Sequence, residues 1–313
     1  MKTLVTGAAG FVGSRLAEVL LEAGHEVVGV DCFLDYYARE IKERNVRAAE
    51  AHPRYQLVEA SLVDSALDDL LQGVDWVFHQ AAQAGVRASW GEDFRIYSDN
   101  NVYATQRLLE ACRGASISRF VYASSSSIYG DTDDLPMRED SPTRPVSPYG
   151  VTKLAGEHLC WLYWKNYGVP TVALRYFTVY GPRQRPDMAF HRFIKAVLEG
   201  DEIRLFGDGK QSRDFTFVDD IVAANLAAAA NDVNGHVYNV GGGSRTTMND
   251  VIATIGELAG HTPKVTRLSV QKGDVRHTAA DTSAAARALG YQPKVGLREG
   301  LAREVEWLRE NLD

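Results

Sequence analysis

A tyrosine and a lysine four positions apart are candidates for a proton-transfer pair. Tyr149 and Lys153, in the stretch YGVTK, fall on one face of a helix if that segment is helical. A free tyrosine has a pKa of about 10 and is a poor base, but a nearby ammonium group stabilises the phenolate and lowers that pKa. Such a pair can remove a hydroxyl proton while hydride leaves the same carbon atom. Ser125, in the run Ser124–Ser127, is a candidate hydrogen-bonding partner of the reacting oxygen.

Three glycines near the N-terminus are candidates for a pyrophosphate-binding loop. Gly7, Gly10 and Gly13 connect an apolar strand-like segment, Lys2–Thr6, to a helical pattern. Glycines let the backbone turn tightly and approach phosphates, whose charge then meets the N-terminus of the following helix. The spacing is GxxGxxG rather than GxGxxG, and a plain tight turn is the alternative interpretation of the glycines taken alone.

The residue that ends the second predicted strand indicates which dinucleotide the loop would bind. This residue is Asp31, and an acidic side chain there accepts hydrogen bonds from the ribose hydroxyls of NAD. The same carboxylate repels the 2′-phosphate of NADP. Cys32 follows it, where a basic residue would favour NADP. We therefore expect the cofactor to be NAD.

The elements that position these residues follow an alternating pattern of short apolar runs and helical segments, which is typical of parallel α/β proteins. We predict a Rossmann-type doubly wound parallel sheet. Ligands of such sheets bind at the carboxyl ends of the strands, where Asp31 and Ser125 fall. Helices are predicted over Asp99–Cys112 and Tyr149–Asn166. The predicted strands are Lys2–Thr6, Glu26–Val30, Tyr55–Val58, Asp75–His79, Arg119–Ala123 and Val169–Arg175.

A change of sequence character near residue 180 indicates a domain boundary. Prolines and arginines cluster in Gly181–Asp187, and the later elements are shorter. We place a NAD-binding Rossmann domain at 1–180 and a smaller, partly discontinuous substrate-binding domain at 181–313. Segments near 214–240, which include Asp214–Ala230 and the strand Val237–Val240, are candidates to return to the first sheet.

Bulk properties restrict the kind of protein and its partners. The chain has 313 residues, 45% of them hydrophobic, and a net charge of -7, which argues against a nucleic-acid or membrane-surface partner. Its three cysteines are far apart and its eight histidines scattered, so we expect reduced thiols and no metal site. We find neither a signal-peptide pattern nor an apolar run long enough for a membrane span. We therefore expect a cytoplasmic protein.

Taken together and in order, these features resemble the extended short-chain dehydrogenase/reductase family, and within it the NAD-dependent sugar-nucleotide epimerases and dehydratases. The resemblance covers essentially the whole chain. The motifs that carry it are GAAGFVG (Gly7–Gly13), HQAA (His79–Ala82), DNNVYAT (Asp99–Thr105), SSSSIYG (Ser124–Gly130), YGVTK (Tyr149–Lys153), RYFTVYGP (Arg175–Pro182) and RDFTFVDD (Arg213–Asp220).

The resemblance implies a tightly held NAD and a sugar whose C4 loses a hydride and regains it on the opposite face. Tyr149 would act as base and then acid, Ser125 would assist, and Lys153 would also hold the nicotinamide ribose. The third strand departs from the family pattern Gly-Asp-Leu, since it reads Ala60-Ser61-Leu62, and Ser61 is left as the candidate adenine contact. The implied cofactor-binding residues are Gly7, Gly10, Phe11, Val12, Gly13, Asp31, Ser61, Leu62, Gln80, Ala81, Ala82, Asn100, Tyr149, Lys153 and Tyr176.

The residues after Ser125 distinguish the reactions of this family. Dehydratases carry Asp-Glu there, because the elimination of water needs a further acid and base, and glucuronate decarboxylases carry a Glu. This chain has Ser126 and Ser127. The resemblance therefore implies epimerisation.

The substrate is indicated by segments that look like those of bacterial UDP-glucuronate 4-epimerases: Gly85–Trp90, Thr178 and Gly181–Ala189. Arg185 is a candidate partner of the sugar carboxylate or of the phosphates, because a guanidinium group suits either anion. Ser126, Ser127 and Thr178 would add neutral hydrogen bonds to the carboxylate. Leu205 and Phe206 would flank the uracil, and Arg213 and Arg276 would contact the pyrophosphate. The predicted substrate-binding residues are Arg87, Ser126, Ser127, Thr178, Arg185, Leu205, Phe206, Arg213 and Arg276.

Other functions stay open at this point. The main alternative is a UDP-glucose/UDP-galactose 4-epimerase, although those enzymes typically carry Asn where this chain has Thr178 and Lys where it has Ala84. A decarboxylase, a reductase and a non-catalytic NAD-sensing scaffold are further alternatives, and such scaffolds usually lack the Tyr, the Lys or the Ser. Family precedent also implies a homodimer formed through the predicted helices Asp99–Cys112 and Tyr149–Asn166. The aromatic residues of the second helix are Trp161, Tyr163, Trp164 and Tyr167, which we interpret as core or subunit contacts.

Overall fold

A computed structural model describes residues 1–312 of the chain. In its first half, strands and helices alternate, and the six predicted strands are all present with ends shifted by one or two residues. The elements are β1 (Lys2–Thr6), α1 (Phe11–Glu22), β2 (Glu26–Asp31), α2 (Arg39–Glu50), β3 (Tyr55–Glu59), β4 (Trp76–His79), α3 (Phe94–Tyr97), α4 (Ala104–Cys112), β5 (Arg119–Ser125), α5 (Pro148–Tyr167) and β6 (Thr171–Tyr176).

The second half contains shorter strands between helices. Its elements are β7 (Thr178–Tyr180), α6 (Ala189–Glu199), β8 (Glu202–Phe206), β9 (Ser212–Phe217), α7 (Val218–Ala230), β10 (Val237–Val240), β11 (Arg245–Thr247), α8 (Met248–Ala259), β12 (Lys264–Leu268), α9 (Ser283–Leu289) and α10 (Leu297–Asn311). Within residues 1–312, no helix combines the length and the apolar character needed to cross a bilayer.

The main sheet has seven strands in the order β10-β6-β5-β4-β1-β2-β3, and the described pairings between them are parallel. The chain runs outward in one direction from β1 to β3 and in the other from β4 to β10, so the order reverses between β1 and β4. In open parallel sheets, ligands bind at such a switch point, outside the carboxyl ends of the strands. The predicted Rossmann-type α/β fold is confirmed.

Two small sheets lie beyond the main one, in the orders β11-β9-β7 and β12-β8. They pack with α6, α8 and α10 around a separate aromatic core that contains Tyr180, Phe190, Phe215 and Phe217, each at most 5% exposed. This core supports the strand ends that face the main sheet. The short strand β7 follows β6 after one buried residue, Phe177.

The helix predicted over Asp99–Cys112 is not uniform. Residues Ser98–Tyr103 form a wider π-helical turn, and the α-helix begins only at Ala104. The cause is a pair of hydrogen bonds to another segment: the buried Asn101 side chain accepts from the backbone N–H of Gln83 at 2.7 Å and donates to its carbonyl at 3.0 Å. π-Helical turns are frequently found at functional sites, and this one brings Asn100 to the cavity described below.

The helix that carries Tyr149 begins and ends at residues suited to those positions. The Ser147 hydroxyl accepts a hydrogen bond from the backbone N–H of Gly150, Pro148 occupies the first turn, and Gly168 ends the helix with a φ of 71°. A Cβ atom on Gly150 would lie 2.6 Å from the carbonyl oxygen of Ser127. The glycine therefore allows the start of α5 to pack directly against the serine-rich loop after β5.

Candidate active site

A cavity of about 900 Å³ follows the carboxyl edge of the main sheet and continues towards the small sheets. This volume is near the upper end for small-molecule sites, so two ligands can be held side by side. Every predicted site residue lines the cavity apart from Ser61 and Ser125. The topology therefore brings to one place residues that lie more than 200 positions apart in the sequence.

Tyr149 lines this cavity together with the glycine loop and the arginines. Its ring contacts that of Tyr97 edge-on, with centroids 6.3 Å apart. Burial raises the pKa of the Tyr149 phenol, while the charge of Arg185 and a hydrogen bond with Ser125 lower it. Ser125 lies just behind the lining, where its oxygen accepts from the backbone N–H of Ser127 at 3.1 Å. The phenol and the hydroxyl are thus adjacent, as the sequence predicts.

Lys153 is buried and its ammonium group has a partner other than Tyr149. Its Nζ donates to the carbonyl oxygen of Ala123 at 2.7 Å and lies 5.1 Å from the ring centre of Tyr122. Burial lowers the pKa of Lys153 to about 8. The spacing of the motif predicts that this lysine lowers the pKa of Tyr149, which stays a prediction; the charge of Arg185 also acts in this direction. The hydrogen bond to Ala123 anchors the ammonium group of Lys153 to the β5 backbone.

A buried ion pair under the site holds the strands and helix that carry these groups. Arg175 Nη2 lies 2.6 Å from Oε1 of Glu157, and both side chains are at most 7% exposed. The Ser124 hydroxyl donates to the same carboxylate at 2.8 Å, and Arg175 also donates to the Tyr129 hydroxyl at 2.7 Å. Buried charges are tolerated when they are paired and fully hydrogen-bonded. This network, which was not predicted from the sequence, ties β5, α5 and β6 together.

The glycine loop fits a pyrophosphate. A Cβ atom on Gly13 would lie 2.1 Å from the carbonyl oxygen of Gly7, and one on Gly7 would lie 2.8 Å from the backbone of Ala81. Gly10 precedes α1 and provides no capping side chain, and the first turn of α1 contains no acidic residue. The N-terminus of α1 is therefore available to an anion.

Asp31 lies at the end of β2 beside this loop. Its carboxylate accepts from the backbone N–H groups of Ala9 at 3.0 Å and Phe33 at 2.8 Å. The side chain is thus fixed at the cavity surface, in the position expected of a residue that binds the ribose of the cofactor. Lys42, which was not predicted from the sequence, also lines this end and donates to the carbonyl of Leu34.

Two of the predicted cofactor contacts differ in their surroundings. Ser61 lies outside the cavity lining, and its hydroxyl oxygen accepts from the backbone N–H of Val63 at 3.1 Å in a local turn. The neighbouring Leu62 lines the cavity instead. Asn100 lines the cavity, with its amide nitrogen donating to the carbonyl oxygen of Ile96 at 2.9 Å. The structure thus brings Asn100, but not Ser61, to the site.

Three of the predicted substrate arginines line the outer part of the cavity, each with a partner from this chain. Arg87 lies 2.7 Å from Oδ2 of Asp274, with its guanidinium 4.2 Å from the ring centre of Phe206. Arg276 lies 3.0 Å from a carboxylate oxygen of Asp208. The guanidinium of Arg213 donates to three backbone carbonyls at 2.6 to 3.1 Å, and burial lowers its pKa. These cations are gathered around one space, as a doubly charged ligand requires.

Arg185 lies nearer to Tyr149 and is paired with Asp187. Its Nε and Nη2 atoms donate to the two carboxylate oxygens at 2.9 Å each. Burial works against the charge of Arg185, but Asp187 raises its pKa above the usual value, so the group stays cationic. The Tyr36 hydroxyl donates to the same carboxylate at 3.2 Å.

These partners of the arginines were not predicted from the sequence. Asp187 lies two positions from its partner Arg185, whereas Asp208 and Asp274 lie 68 and 187 positions from theirs, and only the arginines were expected to have a role. Tyr36 comes from the loop after β2, and no local pattern connects it to Asp187, which lies 151 positions later. Within residues 1–312, no cluster of three His, Cys, Asp or Glu side chains is arranged to hold a metal ion.

Comparison with known proteins gives consistent matches over the whole chain. Residues 3–241 match the family described as the NAD dependent epimerase/dehydratase family. A UDP-glucuronate 4-epimerase from Thermodesulfobacterium geofontis is 38% identical over 315 residues, which cover 99% of this chain and 97% of that protein. A Bacillus subtilis protein with the name uncharacterized UDP-glucose epimerase YtcB is 44% identical over 310 residues, which cover 98% of each chain.

A solved structure gives the same result in three dimensions. The UDP-glucuronic acid 4-epimerase from Bacillus cereus, crystallised with UDP-glucuronic acid and NAD, is 44% identical and superposes with a TM-score of 0.97. The match covers 99% of this chain and 100% of that one.

Proposed function

This chain belongs to the NAD-dependent epimerase/dehydratase family, and on that premise we propose that it inverts C4 of a UDP-sugar, converting UDP-glucuronate to UDP-galacturonate. The family predicted from the motifs is confirmed. The observation that carries the proposal is that Tyr149 lines one cavity together with the glycine loop and with Arg87, Arg213 and Arg276. A sugar whose diphosphate contacts those arginines points its ring at the phenol.

Tyr149 is the proposed base for the C4 hydroxyl and the acid that returns the proton. Its partly buried phenol would be neutral without help, but Arg185 and Ser125 both stabilise the ionised form. NAD, when bound, supplies the acceptor and donor of the hydride at C4. Ser125 is placed to hydrogen-bond the same sugar oxygen, and it keeps that oxygen near the phenol in both directions of the reaction.

Inversion rather than elimination is supported by the two residues after Ser125. Ser126 and Ser127 line the cavity and have no ionisable group. Removal of water from a sugar needs a second acid and base, which these hydroxyls cannot supply. After oxidation, the side chains here hold the keto sugar without promoting a further reaction.

The sugar acid group is proposed to lie between these serines, Thr178 and Arg185, all of which line the cavity. A 4-keto uronic acid is a β-keto acid and loses carbon dioxide when the breaking bond aligns with the carbonyl π system. Hydrogen bonds from neutral hydroxyls and one guanidinium group can hold the carboxylate out of that alignment. Epimerisation then proceeds without decarboxylation.

The diphosphate is proposed to displace the internal partners of the arginines. Arg87 and Arg276 are paired with Asp274 and Asp208, while Arg213 is held by backbone carbonyls. A diphosphate has more charge and more acceptor atoms than either carboxylate, so exchange is favourable. Leu205 and Phe206 line the adjoining wall, where a uracil ring would lie.

The cofactor is proposed to lie along the other half of the cavity. The glycine loop binds its pyrophosphate, Asp31 its adenosine ribose, and Lys153 its nicotinamide ribose. The remaining proposed contacts are the cavity-lining residues Phe11, Val12, Leu62, Gln80, Ala81, Ala82, Asn100 and Tyr176. We assign residues 1–180, with the segments near 214–240, to the NAD-binding domain, and the rest of 181–313 to the sugar-nucleotide-binding domain.

The test is turnover of a panel of UDP-sugars by the purified holoenzyme. We expect UDP-glucuronate to give UDP-galacturonate, measured by chromatography, with no matching release of carbon dioxide. Arg185→Ala and Thr178→Asn are expected to reduce turnover of UDP-glucuronate more than that of UDP-glucose. Equal losses on both sugars would remove the reason for naming the acid, and carbon dioxide formed in proportion to the epimer would contradict the protective role of the site.

The second candidate is a UDP-glucose 4-epimerase. It is favoured by the name of the Bacillus subtilis relative, which is 44% identical. The same panel separates the two, because a neutral-sugar enzyme would turn over UDP-glucose faster than UDP-glucuronate.

We also propose that the protein is a cytoplasmic homodimer. The dimer is supported by exposed apolar side chains on α5 and on the π-helical turn: Tyr103 is 50% exposed, Val151 and Trp161 49% each, and Leu162 43%. Exposed apolar side chains on neighbouring helices are typical of a protein–protein interface. Light scattering of the wild type and of Trp161→Glu tests it, since a charge there should shift the mass towards that of one chain.

A further inference from the structure

The residues that surround Arg185 form a compact turn. The backbone N–H of Met188 donates to the carbonyl oxygen of Arg185 at 3.0 Å, with Pro186 at the second position of the turn. Immediately before it, the N–H of Gln184 donates to the carbonyl of Gly181 at 3.0 Å. Two consecutive turns with a proline have few alternative conformations. The backbone therefore presents the side chains of Arg185 and Asp187 next to each other.

The side chain of Asp187 grips one edge of the Arg185 guanidinium. The two hydrogen bonds, from Nε and Nη2, are 2.9 Å long. A bidentate pair of this kind fixes the plane of the guanidinium group as well as its position. The Nη1 group lies on the other edge of the fork and is directed away from Asp187, so it can meet a ligand.

Tyr36, which also lines the cavity, contacts this pair. Its hydroxyl donates to Asp187 at 3.2 Å, and its ring centre lies 5.9 Å from the guanidinium carbon of Arg185. Tyr36 belongs to the loop that follows Asp31, the last residue of β2. The contact thus connects the loop at the adenosine end of the cavity to the turn that carries Arg185.

We infer that Asp187, braced by Tyr36, is a positioning residue: it holds Arg185 beside Tyr149, so that one cation serves both the acid group of the sugar and the catalytic phenol. This inference rests on the proposed function. A free arginine side chain would lose considerable rotamer freedom on meeting a substrate. Because the turn, Asp187 and Tyr36 restrict it beforehand, less of that cost falls on substrate binding.

The charge environment of Tyr149 agrees with this arrangement. The ionisable groups that face or flank the phenol are Tyr97 from α3, Tyr122 from β5, Lys153 one turn along α5, and Arg185. Tyr97 and Tyr122 are neutral phenols, because burial raises the pKa of each. Lys153 is anchored to the Ala123 carbonyl. Arg185 is thus the permanent cation of this set that lowers the pKa of Tyr149.

The test compares the pH dependence of kcat for UDP-glucuronate in holoenzyme variants. The acid limb of this profile, where kcat falls as the pH is lowered, follows the ionisation of Tyr149, because the ionised phenol is needed for proton removal. In Asp187→Ala, Arg185 is released, and we expect the acid limb to move to higher pH by about one unit. Tyr36→Phe, which removes a single hydrogen bond and disturbs folding least, should move it in the same direction by a smaller amount.

A double variant shows whether Asp187 acts through Arg185. Arg185→Ala should move the acid limb at least as far as Asp187→Ala, and the combined variant should match Arg185→Ala. Asp133→Ala, which removes an exposed carboxylate outside the cavity lining, is the matched control. An unchanged limb in Asp187→Ala, a shift to lower pH, or an extra shift in the double variant would each overturn the inference.

A second measurement separates this inference from the proposed function. Tyrosinate absorbance is titrated in each holoenzyme and in the same variant carrying Tyr149→Phe, and the difference reports the Tyr149 phenol without any sugar. If the wild type failed to epimerise UDP-glucuronate, the proposed function would be lost, but this titration would still report the shift. If the sugar is epimerised and the titration is the same in wild type, Asp187→Ala and Tyr36→Phe, only the positioning role fails.

Discussion

At the cofactor end of the cavity, which we define as Gly7–Gly13 with Asp31, the chain offers backbone groups in fixed positions. At the substrate end, defined by Arg87, Arg185, Arg213 and Arg276, it offers side-chain charges. A Cβ at Gly13 would overlap the backbone, so the loop has one close-packed arrangement. Arg87 and Arg276 instead have internal carboxylate partners that the diphosphate is proposed to replace.

The difference reflects the part that each ligand plays in the proposed reaction. A cofactor that stays bound through every cycle is served by a rigid site, because nothing needs to be rearranged. A UDP-sugar enters and leaves at each turnover. Arg276 and Arg87 can return to Asp208 and Asp274 when the sugar departs, so they are not left as unpaired charges. Substitutions at the cofactor end should therefore change NAD binding, and substitutions at the substrate end should change KM for the UDP-sugar.

Loss of the group between the two ends should have the largest effect. Tyr149→Phe removes the proposed acid and base, and we expect kcat to fall about a thousand-fold on every UDP-sugar, with NAD content unchanged. The measurement is initial epimerisation rate and cofactor released on denaturation. Tyr238→Phe, a phenol outside the cavity lining, is the matched control. Turnover by Tyr149→Phe at near wild-type rate would contradict both the mechanism and the comparison.

A substitution at the cofactor end should reduce NAD affinity. In Gly13→Ala the new methyl group meets the Gly7 carbonyl at 2.1 Å, so the loop must shift. We expect about a hundred-fold weaker NAD binding, from roughly 3 kcal/mol of strain and lost contacts. Titration calorimetry of cofactor-free protein measures it, and changing the salt concentration should have little effect.

Gly114→Ala is the control for this substitution. A Cβ there would lie 3.9 Å from its nearest neighbour, which is an ordinary contact. NAD affinity equal to the wild type in Gly13→Ala would show that the loop is not rigid, and the contrast between the two ends would be lost.

Removal of an arginine at the substrate end should raise KM and leave NAD binding intact. For Arg276→Ala we expect KM for the UDP-sugar to rise about twenty-fold, as charged hydrogen bonds contribute about 1.5–3 kcal/mol. The difference from wild type should shrink at high salt because Arg276 is exposed. Arg298→Ala, which breaks an exposed arginine–glutamate pair outside the cavity, is the control. A KM effect independent of salt would indicate that Arg276 acts through packing instead.

The same contrast explains how much of the site could be predicted from the sequence. The glycine loop, Asp31 and the Tyr149–Lys153 spacing depend on neighbours a few positions away, so a local pattern predicts them. Ser125 could be placed because it follows a predicted strand. The Arg185 partner Tyr36 could not, because its contact depends on how two distant loops meet across the folded sheet.

Local patterns also failed where a side chain competes with the backbone. Asn101 widens the helix predicted over Asp99–Cys112 because its amide bonds Gln83, which lies on another segment. The hydrogen bond from the ammonium group of Lys153 to the carbonyl oxygen of Ala123 was not expected either, while its action on Tyr149 stays a prediction. Both hydrogen bonds join segments that lie apart in the sequence, so spacing along the chain does not predict them.

The final prediction concerns the free energy of unfolding and a buried carboxylate next to the substrate end. Asp214 on β9 is 2% exposed, and its carboxylate accepts from the N–H groups of Gly242 at 2.6 Å and Ala280 at 3.1 Å. Burial raises its pKa to about 6. Between about pH 4 and 6 the folded chain therefore holds a proton that the unfolded chain has lost, so stability falls as pH rises through this window. In urea unfolding, the free energy of wild type minus that of Asp214→Asn should fall by about 2 kcal/mol from pH 4 to 7. The Asn side chain of the variant accepts one hydrogen bond fewer at every pH. This changes the free-energy difference by the same amount at each pH but does not change its slope with pH. A free-energy difference that stays flat or rises with pH would mean that the hydrogen bonds to the Asp214 carboxylate outweigh the effect of burial on its pKa. This part of the substrate end would then be as insensitive to charge as the glycine loop.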